Sequence, residues 1–211
     1  MKSVSILFSG RGSNAKSIIE LIINKKLNFK IKNVICNNID SKGANDIKKL
    51  NVNFSIIDFM SYKNLTTYNL ELEKKLSAKK NDYLLLCGYM KKVPENIINA
   101  YNGNVINIHP SILPKYKGLH THEKVIKNKD SHHGCSTHFV TNNIDCGPII
   151  AQYIISVNND DNANSIADRL LKFEHNLYYK TLKMIELDTI KYKNHDIYYN
   201  DKILTKPIIY D

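Results

Sequence analysis

The sequence predicts an α/β protein with a Rossmann-like, doubly wound, mostly parallel sheet and helices on both faces. Three observations carry that expectation. Short apolar runs recur along the first half of the chain, segments with helical spacing separate them, and a glycine-rich turn joins the first run to the first helical segment.

The apolar runs are Val4 to Phe8, Ile31 to Cys36, Phe54 to Ile57, Tyr83 to Cys87 and Val105 to Ile108. They are largely apolar on both faces, as strands covered by helices must be. Ala15 to Lys25 carries Ile18, Ile19, Leu21, Ile22 and Ile23 after Ser13 and Asn14, which are good capping residue types. Leu65 to Lys79 sets Leu65, Tyr68, Leu72 and Leu76 near a 3.6-residue period, with lysines around the rest of the helix. From His109 to His138, six of the eight histidines and many small or turn-forming residues break any period, and this stretch is left without firm assignment. A strand is predicted at Thr137 to Val140 and an Ile-rich one around Ile149 to Val157. Ser165 to Ile185 reads as a long helix with Ile166, Leu170, Phe173, Leu177 and Leu182 on one stripe. From Leu187 onward Asn, Asp and Pro207 interrupt the pattern, so a short hairpin or a tail is expected.

With 211 residues and no internal repeat or linker, the chain reads as one domain over 1–211, with halves of about 1–100 and 101–190 and a tail over 188–211. An apolar fraction of 43% and a charged fraction of 24% exclude a disordered chain or a fibre. The net charge of +10 favours anionic ligands, yet only Arg11 and Arg169 among the 30 basic residues are arginines. Base readout and bidentate phosphate capture favour the guanidinium fork, so the spread lysines read as a solvated surface and no nucleic-acid partner is expected. Cys36, Cys87, Cys135 and Cys146 form no CxxC pair, which suits a reducing, cytoplasmic setting. The apolar N-terminal segment is too short for a signal peptide and no run is long enough to span a membrane, so no membrane partner is expected.

Two clusters carry chemistry. Ser9-Gly10-Arg11-Gly12-Ser13-Asn14 lies between the first strand and the first helix, where backbone N–H groups bind anions. A dinucleotide site would add an acid at the end of the second strand, but Cys36-Asn37-Asn38 stands there and the first acid is Asp40. The turn therefore suits a single phosphate. The second cluster runs from Asn107 to His122; Asn107 and His109 are two apart at a strand end, so their side chains share a face and together can donate to one developing oxyanion. His120, His122, His132, His133 and His138 would admit a metal site, but no Cys pair or HExxH helix accompanies them, and no metal is expected. Cys135 and Cys146 lack a positioned base and are read as small packing residues.

Ser9-Gly10-x-Gly12-Ser13-Asn14, Asn107-x-His109-Pro110-Ser111-x-Leu113-Pro114-x-Tyr116, Leu119-His120-Thr121-His122 and His138-Phe139-Val140-Thr141-x-x-x-Asp145-x-Gly147-Pro148-Ile149 together closely resemble the glycinamide ribonucleotide formyltransferases, of the folate-dependent formyltransferase family. The resemblance runs in order from the first strand to about His175. It implies formyl transfer from 10-formyltetrahydrofolate to the amino group of glycinamide ribonucleotide in purine biosynthesis, by a monomer or homodimer acting on small molecules. By the same resemblance Asn107, protonated His109 and Asp145 are catalytic, Asp145 raising the histidine pKa, with His138 and Gly118 in support. Gly12, Ser13, Asn14 and Glu174 would meet the ribonucleotide. Met90, Lys91, Lys92, Val93, Asn107 and the run Thr141, Asn142, Asn143, Ile144 and Asp145 would meet the folate. Lys91 and Leu65 stand where the family often has Arg, which leaves Lys63 as the nearest substitute for the folate tail. Formyltransferases acting on methionyl-tRNA or a sugar nucleotide and formyl-folate hydrolases share the trio; outside enzymes, the rival is a basic nucleic-acid-binding module.

Overall fold

The computed structural model describes residues 1–77 and 82–211. It divides into two compact units, Met1–Asn107 and Ile108–Asp211.

In the first unit the order is β1 (Lys2–Phe8), α1 (Ser13–Ile23), β2 (Phe29–Cys36), α2 (Lys42–Lys48), β3 (Phe54–Ile56), a 3-10 turn at Phe59–Ser61, α3 (Leu65–Ser77), β4 (Tyr83–Leu86), α4 (Glu95–Ala100) and β5 (Val105–His109), whose last two residues begin the second unit. All the strand pairs are parallel, in the order β3-β2-β1-β4-β5, which is the doubly wound arrangement the sequence predicts. Val4, Ile6, Leu7 and Phe8 of β1 and Leu84 and Leu85 of β4 are fully buried, as two-sided coverage requires. Tyr68, Leu72 and Leu76 form the buried stripe of α3, while Leu65 is exposed; the predicted end of this helix at Lys79 lies outside the described residues.

Two helices were not expected. α2 and α4 span 7 and 6 residues, too short to display a helical period, and bury only Gly43, Ala44 and Ile47, and Ile97 and Ile98. The start of α1 also differs: Gly12, at φ 66°, is the N-cap and no side chain caps the helix, so Ser13 and Asn14 lie within the first turn.

The second unit contains α5 (Thr121–Lys127), β6 (His132–Phe139), β7 (Ile149–Ser156), α6 (Ala163–Glu186), β8 (Ile190–Lys193), β9 (Asp196–Tyr199), β10 (Lys202–Ile203) and β11 (Ile208–Tyr210). β6 starts five residues before the predicted Thr137, because His133, Gly134, Cys135 and Ser136 are buried without apolar alternation. Hydroxyls of this strand are met inside: Ser136 Oγ donates to the Ser111 carbonyl at 2.7 Å, and the Thr137 and Thr181 hydroxyls lie 2.8 Å apart. β7 runs antiparallel to β6 and parallel to β11, while β8, β9 and β10 make a separate antiparallel sheet. The segment expected as a hairpin or tail therefore supplies both a hairpin and a strand alongside β7. On α6, Asn162 closes a capping box with Ser165, and Ile166, Leu170, Leu177 and Leu182 are fully buried. Phe173 is only half-buried and packs its ring 4.6 Å from that of Tyr153.

β6 and β7 approach so closely that a Cβ at Gly134 would stand 2.0 Å from the Tyr153 carbonyl oxygen. Gly134→Ala must push the strands apart. It is expected to cost roughly 1–3 kcal/mol of unfolding free energy, measured by urea denaturation. An unchanged midpoint would contradict this packing.

Candidate functional site

In the first unit the glycine turn follows β1 at the carboxyl edge of the sheet, beside β4, where the strand order reverses. Open parallel sheets place ligands at such a point. Ser9 N–H donates to the Gly88 carbonyl at 3.2 Å, and Met90 N–H donates to Ser9 Oγ at 2.8 Å, so the turn and the loop after β4 are tied together. From the other side, Ser41 Oγ donates to the Gly10 carbonyl at 2.6 Å. Gly43 packs against the turn so tightly that a Cβ there would lie 2.2 Å from the Arg11 carbonyl oxygen. The sequence reading missed Ser41 and Gly43; a serine three residues before an alanine and a glycine beside it were the available signal.

Of the residues expected in this unit to meet substrates, Gly12, Ser13 and Asn14 sit together at the N-terminus of α1. Met90 is exposed, Lys92 is exposed, and Val93 is buried in the core. Lys91, expected in the folate loop, stacks its Nζ 3.5 Å above the Phe59 ring, a cation–π contact that engages its charge. Asn107, half-buried on β5 and in register with Leu86, precedes His109 by two residues on the same strand.

In the second unit His109 and Asp145 meet. His109 Nδ1 lies 3.4 Å from Asp145 Oδ2, with both side chains at most a tenth exposed. On the opposite side of the ring, Nε2 lies 2.9 Å from the Tyr116 carbonyl oxygen. Asp145 Oδ2 also accepts the Gly118 N–H at 2.8 Å, and Oδ1 faces His138 Nε2 at 3.5 Å. His138, expected in support, is thus brought to the carboxylate, as is the Gly118 backbone. Asp145 and Tyr116 both adopt left-handed backbone, at φ 48° and 54°, which non-glycine residues adopt at a cost. Gly147 anchors this loop: a Cβ there would fall 1.8 Å from the Phe139 carbonyl oxygen.

Burial is the largest influence on His109 and pulls its pKa below the ordinary imidazole value. Asp145 and the Tyr116 carbonyl act upward, as a carboxylate neighbour should, without offsetting burial; His138 and Lys124 act downward. Asp145 thus acts on His109 in the expected direction, and the acceptor at each ring nitrogen favours a protonated ring, while burial acts against it. For Asp145, burial acts upward, but the His138 hydrogen bond, the His109 charge and the Gly118 N–H outweigh it and hold the carboxyl below its usual range.

Thr141 is half-buried and Asn142, Asn143 and Ile144 are exposed, so the loop before Asp145 presents a surface of mixed character. Glu174 is half-buried on α6 and near enough to Cys135 for its charge to help burial push that thiol up. Cys135 is a buried packing residue as expected; Cys146 is not, being exposed with Lys117 Nζ 3.0 Å from its sulfur. His122 Nδ1 and His133 Nε2 lie 2.9 Å apart, and among the described residues no group of three or more His, Cys, Asp or Glu has the arrangement of a metal site.

The formyl transferase family model matches residues 1–182. The chain is 32% identical over 176 residues to the phosphoribosylglycinamide formyltransferase of Escherichia coli (strain K12), covering 83% of each chain. To the enzyme of the same name from Haemophilus influenzae it is 30% identical over 210 residues, 98% of this chain and 97% of the relative. Among solved structures, the phosphoribosylglycinamide formyltransferase of Coxiella burnetii matches with a TM-score of 0.91 at 30% identity, over 100% of this chain and 99% of that one.

The histidines make stability depend on pH with a definite sign. Burial first, then the His122 charge, lowers His133 from 6.5 to about 4, and His109 is lowered as well. A lowered folded pKa gives stability that is present above the unfolded pKa and lost as pH falls through the folded one. Urea midpoints should hold above about pH 7 and fall between pH 6.5 and 4, His133 alone accounting for about 3 kcal/mol. In His133→Gln most of that slope should vanish; an identical slope would mean that His133 is not buried neutral.

Proposed function

The chain belongs to the formyl transferase family, and from that premise we propose that it transfers the formyl group of 10-formyltetrahydrofolate to the amino group of glycinamide ribonucleotide, in purine biosynthesis. The observation that carries the reading is His109 at the end of β5, its Nε2 hydrogen-bonded to the Tyr116 carbonyl at 2.9 Å and its Nδ1 3.4 Å from the buried Asp145 carboxylate.

Attack of the amine on the formyl carbon produces a tetrahedral centre whose oxygen takes up negative charge; as it collapses the bond from that carbon to the folate nitrogen breaks, and the proton lost by the amine passes to that nitrogen, releasing tetrahydrofolate. The Asn107 amide and the His109 Nε2–H, which rests on the Tyr116 carbonyl at 2.9 Å in the free protein, donate to that oxygen. A preorganised donor of this kind is worth roughly 2.7–4 kcal/mol, because it is already aimed where charge develops. A neutral imidazole still offers one N–H, so the lowered pKa of His109 is compatible with this work. Asp145 remains ionised, fixes the ring and stabilises any positive charge that His109 acquires. No covalent bond to the protein is required.

The glycine turn supplies the phosphate site in this reading. Gly12, Ser13 and Asn14 present backbone N–H groups at the start of α1, where the helix dipole favours an anion. Glu174 is assigned to the ribose or glycinamide end. Met90, Lys91, Lys92 and Val93, and the run Thr141 to Asp145, are assigned to the folate, with the Lys91 charge withdrawn onto Phe59.

Purified protein given both substrates should release tetrahydrofolate, seen as a change in folate absorbance, only when the nucleotide is present. Release without nucleotide would replace this reading with a hydrolase, and silence with both would end it. His109→Asn and Asp145→Asn should each lower kcat by about 10²- to 10³-fold with KM little changed; full turnover in either removes the trio. Ser13→Leu should raise KM for the ribonucleotide at least about tenfold and spare the folate, since one lost phosphate contact costs on the order of 1.4 kcal/mol or more. An equal loss for both substrates would place the phosphate elsewhere.

A further inference from the structure

We propose that Tyr116 is a positioning residue for His109: its carbonyl holds the Nε2 side of the ring, and its phenol, clamped by Asn128 and Asp130, holds that carbonyl in place. The inference rests on the reading of His109 as the oxyanion donor.

An imidazole pinned at one nitrogen still pivots about that contact. Two oxygens on opposite sides fix its plane, and His109 has them in Asp145 Oδ2 at 3.4 Å and the Tyr116 carbonyl at 2.9 Å. The carbonyl contact also requires a proton on Nε2, since only a protonated Nε2 can donate to it, and in the charged ring Asp145 takes the Nδ1 proton.

The carbonyl points this way because Tyr116 is left-handed at φ 54°, a conformation that a bulky L-residue keeps only when its surroundings impose it. The surroundings are explicit. The phenol O–H donates to Asp130 Oδ2 at 2.8 Å and accepts from Asn128 Nδ2 at 2.7 Å, both in the turn between α5 and β6. One residue earlier, the Lys115 carbonyl accepts from Ser111 Oγ at 2.6 Å. Tyr116 and Asp130 line a cavity of about 210 Å³, so packing leaves the phenol room and the two hydrogen bonds set its position.

The charged or titratable groups acting on His109 are Asp145, His138 and Lys124; Lys115 and His133 act on Asp130. Tyr116→Phe changes none of them. A shift in the protonation of His109 in this variant would therefore report ring placement.

The test uses the full chain with Tyr116→Phe, Asp130→Asn, which keeps an acceptor for the phenol, and Asp130→Leu, which does not. Nitrogen-15 NMR of the histidine rings, with His109→Asn to assign the signal, needs no substrate. The wild type should show His109 protonated at Nε2, and Tyr116→Phe and Asp130→Leu should show a tautomer mixture. In turnover they should lose about tenfold in kcat, less than the roughly 10² that a 1 Å misplacement costs, with KM held and the acid limb of the kcat profile moved. Asp130→Asn should stay near wild type. An unchanged tautomer and pH profile, with only a lower melting temperature, would overturn the proposal and leave Tyr116 a structural residue. Should Tyr116→Phe fail to fold, the contrast between the two Asp130 variants decides the same point. Absence of nucleotide-dependent turnover in the wild type would instead sink the reading of the reaction, and the NMR result would still decide whether Tyr116 holds the ring.

Discussion

A carboxylate left nine-tenths out of water must find its hydrogen bonds inside the protein, and the second unit meets that demand at Asp145. Oδ2 takes the Gly118 amide and faces His109, and Oδ1 faces His138. Each donor needs support of its own. His138 lies on β6, where the buried Ser136 and Thr137 hydroxyls are internally bonded; Gly118 belongs to the loop after β5, held at Leu113 by Ser136 and Gln152. The loop that carries Asp145 is pressed onto Phe139 at Gly147, where any side chain would collide with backbone. Removing one donor would leave charge without compensation, which is why so many unremarkable polar residues in this unit have fixed partners.

The same burial governs the electrostatics of His109. Asp145 attracts a proton to the ring, yet withdrawal from water repels it more strongly, and the balance lies below an ordinary imidazole. In the proposed reaction the ring serves as an N–H donor already aimed at the developing oxyanion. Preorganisation of that kind depends on the ring being held rather than on its being charged.

In the first unit the proposed phosphate site poses a different physical problem, that of bringing backbone amides to an anion. The strand order reverses between β1 and β4, and the glycine turn lies at that point on the carboxyl edge of the sheet. Gly12 supplies the left-handed N-cap of α1, and Gly43 allows α2 to close against the turn at van der Waals distance. The excess of lysine over acid is spread over the chain, so it biases the surface toward anionic ligands without making a patch.

The sequence by itself determined the doubly wound sheet, because strands covered on both faces are largely apolar and runs such as Val4 to Phe8 and Val105 to Ile108 alternate with segments of helical spacing. It also determined which residue types stand at the strand ends, and so the pairing of Asn107 with His109 and the glycine turn. Short helices such as α2 and α4 escaped because six or seven residues carry too little of a 3.6-residue period. β6 was legible only at its end, since its polar residues are buried by virtue of hydrogen bonds to partners far along the chain, such as Thr137 to Thr181. Tertiary structure alone decided that the Tyr116 carbonyl faces His109, that Gly43 and Gly147 sit against backbone, that Lys91 rests on Phe59, and that burial lowers the His109 pKa. Each of these depends on the distance between groups that are remote in sequence or on their exclusion from water, and neither quantity is written in the spacing of residues along a chain.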